Sequence, residues 1–318
     1  PLFKFTAYEQ VLTSKLVDVV KFEKLDLLHV HYAIPHASAA YMAQQILKDQ
    51  GIKIPFITTL HGTDITLVGK DPSFEPVINF SINHSNMVTA VSESLKKETH
   101  ELFDIKKEIK VIPNFICLNE YKLDNNEFYK RRFAPNNEKI ICHVSNFRKV
   151  KRIEDVLTTF EEISKKTEVK LILVGDGPER PRLEKISRKS DFKENIFLLG
   201  SLKSTKEVLN ISDLFILPSS KESFGLSALE AMACSVPVIA SNSGGIPEVV
   251  IHEESGLLNE VGDTNQMTIN ALKILSNNDR LEKFKSNALN QAKKFDIKII
   301  LPRYENLYRD CVDYFLNN

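Results

Sequence analysis

Several features that define other protein classes are missing from this chain of 318 residues. Its apolar runs, such as residues 213–218, fall far short of the roughly 20 residues that cross a bilayer, so no integral membrane segment is expected. Charge of one sign is missing too: 42 Lys and Arg balance 42 Asp and Glu. No sequence-wide field therefore draws the chain onto nucleic acid or an anionic membrane, and any anionic partner must be met locally. Cysteine is sparse, with Cys117, Cys142, Cys234 and Cys311 widely spaced, no C-x-x-C pair and no secretory leader. Reduced thiols in a cytoplasmic setting are expected rather than a disulfide frame or a zinc site. Neither G-x-G-x-x-G nor G-x-x-x-x-G-K-[ST] occurs, which removes the main support for a dinucleotide dehydrogenase or a P-loop protein.

What is present is ordinary globular composition, 42% hydrophobic and 26% charged, at a length that suggests two compact domains. Short β-rich runs alternate with helical patterns, the signature of parallel sheets covered by helices. Strands are predicted near 27–31, 56–60, 87–91 and 110–112, and a second series near 140–144, 170–174, 195–199, 214–217 and 236–240. A helix is predicted over 7–24, and beyond residue 240 the pattern is almost wholly helical, over 264–275, 280–294 and 297–315. The polar stretch 119–139, with its turn at 134–137, marks the domain boundary. The expected division is a domain over 1–134, a second over 135–295, and a terminal helix over 296–318 that crosses back to the first. The fold class is then α/β, two Rossmann-like doubly wound domains facing across a cleft, with ligands at the carboxyl ends of the strands.

Motifs directly after strands carry the chemistry. In residues 221–234, Glu222 lies in the loop before a helix and Glu230 is expected about two turns into it. Backbone N–H groups of Phe224, Gly225 and Leu226, beside Ser223, lie at the helix start. Carboxylates for hydroxyl donors and a helix end for phosphate suit a sugar nucleotide. Either glutamate alone would read as an ordinary helix charge. Residues 148–152 hold four cations at a strand's carboxyl end, well placed for a diphosphate, with Arg148 and Lys151 the candidate working pair and Lys149 and Arg152 surface charges. His29, His31 and His36 cluster after one strand, and His61 precedes Gly62 after another. A metal site lacks a convincing fourth ligand, so His61 is the candidate single residue, and His29 and His143 read as hydrogen-bonded structural histidines. The turns at 175–179 and 244–248 are weak signals on their own. With no Asp-x-Asp pair, charge on a leaving phosphate would be met by Arg148, Lys151 and helix termini, with no metal.

In this order, Glu222 and Glu230 at their spacing, the basic loop, and the segments 175–179 and 244–248 resemble the family 4 retaining glycosyltransferases of the GT-B fold, over nearly the whole chain from about residue 25. Three longer strings, 29–37, 59–66 and 143–152, are similar to the branch of that family that glycosylates L-malate in bacillithiol biosynthesis. In the last string an Arg148-to-Lys151 spacing of three replaces the commoner Gly-Arg start with Lys five residues on. The resemblance implies transfer of N-acetylglucosamine from UDP-GlcNAc to the L-malate hydroxyl, with anomeric retention and no metal. It implies that Arg148 and Lys151 hold the diphosphate, Glu230 the ribose diol and Glu222 a sugar hydroxyl, with His61 beside the reacting sugar. Tyr32 and Thr63 are the candidate acceptor contacts, and a homo-oligomer is expected. Family members begin with a strand and a Gly-Gly loop that this sequence starts beyond, so an N-terminal segment is expected to be missing. The alternatives are another acceptor, such as a polysaccharide or lipid-linked sugar, a non-catalytic sugar-nucleotide-binding protein, and a non-hydrolysing epimerase or phosphorylase on the same fold.

Overall fold

The computed structural model describes residues 7–67, 71–121 and 126–317. Short runs rich in Val, Ile and Leu become strands buried on both faces, which is what parallel sheets covered by helices require. In the first sheet β1 (Leu28–His31), β2 (Phe56–Leu60), β3 (Met87–Ala90) and β4 (Ile109–Val111) lie in that order, all parallel. Helices α1 (Tyr8–Glu23), α2 (Ser38–Asp49), α3 (Glu75–His84) and α4 (Glu93–Leu102) connect and cover them. Every residue of β2 is buried, and Val17, Val20, Ala40, Ala43 and Leu47 on α1 and α2 form a core with Leu28, Val30 and Phe56.

The second sheet holds β5 (Lys139–Val144), β6 (Val169–Val174), β7 (Ile196–Gly200), β8 (Leu214–Leu217), β9 (Val238–Ser241) and β10 (Gly256–Asn259), in the order β10-β9-β8-β5-β6-β7. It carries α5 (Glu127–Arg131), α6 (Ile153–Ser164), α7 (Arg180–Lys189), α8 (Lys206–Asn210), α9 (Leu226–Ala233), α10 (Ile246–Val249), α11 (Thr264–Leu275) and α12 (Asn278–Ala292). The strand β10 corrects the expectation of an almost wholly helical stretch after residue 240. It is four residues long and lies at the sheet edge beside β9, too short a pattern to stand out between helices. The chain runs outward from β5 in both directions, first to β6 and β7, then back to β8, β9 and β10. The carboxyl ends of β5 and β8 therefore flank the point where strand order reverses, the usual ligand position in such sheets.

The chain divides into one unit up to Asn114 together with the stretch from Ile299, and a second over Phe115–Lys298. The first division thus falls some twenty residues before the expected boundary at 134/135. Although 119–139 is poor in apolar residues, its flanks are anchored in the second unit. Ile116 exchanges backbone bonds with Phe295 and Ile297 at 3.1 and 2.8 Å. The Phe133 ring lies 5.1 Å from that of Phe197, and Ala134 is buried. Residues 122–125 of that stretch lie outside the described residues. The terminal helix α13 (Ile297–Leu316) begins in the second unit and, from Ile299, belongs to the first. There Ile300, Tyr304, Leu307 and Cys311 pack with Ile57 and Ile112.

Candidate active site

Two loops leave the switch point, one after β5 and one after β8, and His143 ties their roots together. This ring is buried near the end of β5; its Nδ1–H donates to the Ile216 carbonyl of β8 at 2.8 Å, and its Nε2 accepts from the Ser145 hydroxyl at 2.7 Å. Burial lowers its pKa to about 4, the Lys151 charge adding to the effect, so the ring is neutral at pH 7 and the tautomer follows from its partners. The turn after β6 braces the same loop: Phe147 N–H donates to the Asp176 carbonyl at 2.8 Å and Glu179 N–H to the Phe147 carbonyl at 2.9 Å. At Gly175, where φ is +139°, a Cβ would overlap the Ser145 carbonyl.

On this base the structure joins two of the candidate residues. Lys151 Nζ lies 2.5 Å from Glu222 Oε1, and the Ser219 hydroxyl donates to the same oxygen at 3.0 Å. The two side chains are only 18% and 13% exposed. The Glu222 loop is held on both flanks. Ser220 N–H donates to the Val150 carbonyl at 2.9 Å, Gly245 N–H to the Glu222 carbonyl at 2.9 Å, and the Ser243 hydroxyl to the Ser220 carbonyl at 2.8 Å. Gly244 (φ +58°) sits where a Cβ would strike the Glu222 carbonyl, so the Gly-Gly turn is a close-approach device.

Past this loop Gly225 (φ +95°) opens α9 without any side-chain cap, leaving the first-turn N–H groups for an anionic ligand. The Phe224 side chain is buried, its ring 5.6 Å from that of Phe295, so Phe224 offers a ligand its backbone only. Ser223 is half-buried and Leu226 exposed. Glu230 stands four residues into α9 from Leu226, about one turn rather than two. Burial raises its pKa, and the nearby Tyr121 and Thr205 hydroxyls oppose the rise. Arg148 is exposed and forms no ion pair among the described residues, whereas Arg152 is committed to Asp155 at 2.6 Å.

The first unit collects the histidines. His31 Nδ1 and His61 Nε2 are 2.8 Å apart, and His36 Nδ1–H donates to the His31 carbonyl at 2.5 Å. His29 bonds Tyr308 at 2.8 Å and Thr59 at 2.7 Å. Burial, reinforced by the neighbouring imidazoles, lowers His29 and His61 to about 4. Tyr32 takes φ +78°, and its ring centroid lies 5.3 Å from that of His61. Buried Asp64 joins the two loops, accepting from Ala33 N–H at 2.6 Å and Gly62 N–H at 3.2 Å, with exposed Thr63 beside it. Among the described residues no group of three or more His, Cys, Asp or Glu could hold a metal ion.

Sequence reasoning missed Tyr121, Thr205, Ser219, Ser145 and Asp64 as parts of these arrangements. Asp64, two residues after Gly62, carried a turn signal that could have found it. Tyr121 and Thr205 carried none, because they lie near Glu230 on separate segments.

Two parallel α/β units, the second doubly wound with a cationic loop and paired carboxylates at its switch point, are the architecture of the GT-B glycosyltransferases. Solved structures with the same fold include sucrose-phosphate synthase from Thermosynechococcus elongatus (TM-score 0.78, 22% identity, 96% of this chain and 80% of that one). Another is the Anabaena protein HepE in complex with UDP and glucose (TM-score 0.80, 21% identity, 97% and 84%). The chain belongs to the family described as Glycosyl transferases group 1, whose model matches residues 124–291, while the Glycosyltransferase Family 4 model matches residues 1–120. It is an enzyme of that class. It is 43% identical over 313 residues, 98% of this chain and 81% of the relative, to the N-acetyl-alpha-D-glucosaminyl L-malate synthase of Bacillus anthracis. It is 28% identical over 299 residues, 93% and 78%, to an uncharacterized glycosyltransferase of Methanocaldococcus jannaschii.

Two predictions follow from this geometry. Gly244→Ala drives the turn off the Glu222 carbonyl and is expected to lower kcat/KM by at least about tenfold, roughly 1.4 kcal/mol, in steady-state assays on folded protein. Unchanged kinetics would show that the loop contact is dispensable. His29, His61 and His143, each near 4 when folded against an ordinary 6.5, bind protons more readily in the unfolded chain. Stability should therefore fall as pH drops from about 6.5 towards 4, read as a declining urea midpoint, and a flat midpoint across that window would contradict the neutral assignments.

Proposed function

We propose that this enzyme transfers N-acetylglucosamine from UDP-GlcNAc to the hydroxyl of L-malate with retention at the anomeric carbon, the first step of bacillithiol biosynthesis. The observation that carries the proposal is 43% identity across 98% of the chain to a relative named for that product. The site chemistry supports it. Arg148 is exposed and forms no ion pair among the described residues, which suits it to the diphosphate, and Lys151 is oriented by Glu222, 71 residues away in sequence. The uncapped start of α9 offers the N–H groups of residues 224–226 to the same charge. Glu222 accepts a hydroxyl of the sugar and Glu230 the ribose diol. In the first unit His61 lies beside the reacting sugar, with Tyr32 and Thr63 contacting the acceptor.

In this scheme the leaving phosphate oxygen takes the acceptor proton on the face where the new bond forms. The barrier is then lowered by neutralising charge on that phosphate, each well-placed donor contributing about 3 kcal/mol. Arg148, Lys151 and the helix end meet the charge, and no resident metal is assigned. Four free cysteines suit a reducing, cytoplasmic compartment. No described helix is long and apolar enough to cross a membrane, and the substrates are small molecules.

The test is UDP release by the full-length protein with UDP-GlcNAc and L-malate, D-malate, simple sugars or no acceptor. L-malate-dependent release that falls about a hundredfold or more in Glu222→Gln is expected. Release with another acceptor alone would remove the malate assignment, and UDP binding without release under any condition would favour a binding protein.

A further inference from the structure

We infer that Ser219 is a positioning residue for sugar recognition: together with Lys151 it fills one oxygen of the Glu222 carboxylate, Oε1, and so turns the other, Oε2, to accept a hydroxyl of the donor sugar. The inference rests on the assignment of Glu222 to a sugar hydroxyl and deepens it to single atoms. Ser219 lies two residues past the end of β8 at Leu217 and is fully buried, so its hydroxyl must find an acceptor inside the protein. It donates to Glu222 Oε1 at 3.0 Å, and Lys151 Nζ lies 2.5 Å from the same oxygen. The backbone between the two residues is pinned. Ser220 N–H donates to the Val150 carbonyl and Gly245 N–H to the Glu222 carbonyl, each at 2.9 Å.

Each oxygen of a carboxylate has about two acceptor sites. On Oε1 both are taken, one by Lys151 and one by Ser219. Oε2 forms no hydrogen bond among the described residues and remains open to solvent. The terminal torsion of a glutamate side chain is broad and two-fold, so a single contact with a long lysine would hold the carboxylate near the site without fixing its plane. A second donor on a short side chain, anchored just past β8, fixes it. Because that donor is neutral, it satisfies the carboxylate without a second cation beside Lys151. A sugar hydroxyl that donates to Oε2 then gains a charge-assisted bond and displaces neither protein donor.

The test is titration calorimetry of the full-length protein, wild type, Ser219→Ala and Glu222→Ala, with UDP, UDP-GlcNAc and the 3-deoxy, 4-deoxy and 6-deoxy analogues of that donor. It needs no acceptor, so its outcome is separate from the choice of L-malate. The wild type is expected to bind UDP-GlcNAc about tenfold or more tighter than at least one analogue, a preference lost in Glu222→Ala. Ser219→Ala should shrink the same preference several-fold while UDP, which has no sugar to offer Oε2, binds within about twofold of the wild type. An unchanged preference in Ser219→Ala, beside a wild-type preference that needs Glu222, would overturn the inference and leave the role of Glu222 standing. Equal weakening of UDP and every donor in Ser219→Ala would show a merely structural role and overturn it as well. If the wild type discriminates against none of the analogues, or Glu222→Ala still does, the assignment of Glu222 fails and takes the inference with it.

Discussion

The contact between Lys151 and Glu222, at the carboxyl ends of β5 and β8, is the constraint on which the second unit's site depends. Two largely sequestered charges are costly to bring together unless each finds partners of good geometry. The surrounding structure supplies them through Ser219 on the carboxylate and backbone bonds on both flanks of the loop. The turn at 243–245 approaches Glu222 so closely that only glycine fits at position 244. Neutral His143 fastens the two strands beneath without adding a competing charge. The pair contributes little to stability in its own right. Its consequence is orientation: the Lys151 and Glu222 side chains are held at one place, next to the uncapped start of α9.

The first unit is organised on a different principle. Its histidines lie against one another and against tyrosine and threonine hydroxyls, with pKa values lowered by burial. Near neutral pH His29 and His61 present dipoles rather than charge. Asp64, the buried carboxylate beside them, is consumed by the backbone N–H groups of Ala33 and Gly62. In the proposed reaction the two units thus divide the chemistry, charge neutralisation in the second and hydrogen-bond placement in the first.

The strands were legible because buried parallel strands are continuous apolar runs, and β8 matches its predicted span of 214–217. The short edge strand β10 was not, since four residues ending in Asn carry no pattern that helices around them do not swamp. The boundary misled because low apolar content was read as a linker, although Ile116, Phe133 and Ala134 are buried. Among site residues, Glu222 and Lys151 could each be found from motif context. Their contact spans 71 residues and needs the strand order β8-β5, which no local signal states. Phe224 shows the opposite limit, because a residue inside a functional string can face the core.

The central claim is that Lys151 and Glu222 act as one unit. A double-mutant cycle with Lys151→Met, Glu222→Gln and the double variant, read as kcat/KM for UDP release from UDP-GlcNAc, tests it most directly. The predicted result is strong non-additivity, the double variant little worse than either single one, with a coupling of at least about 1 kcal/mol. Additive losses would contradict the account and leave the two residues as independent neighbours.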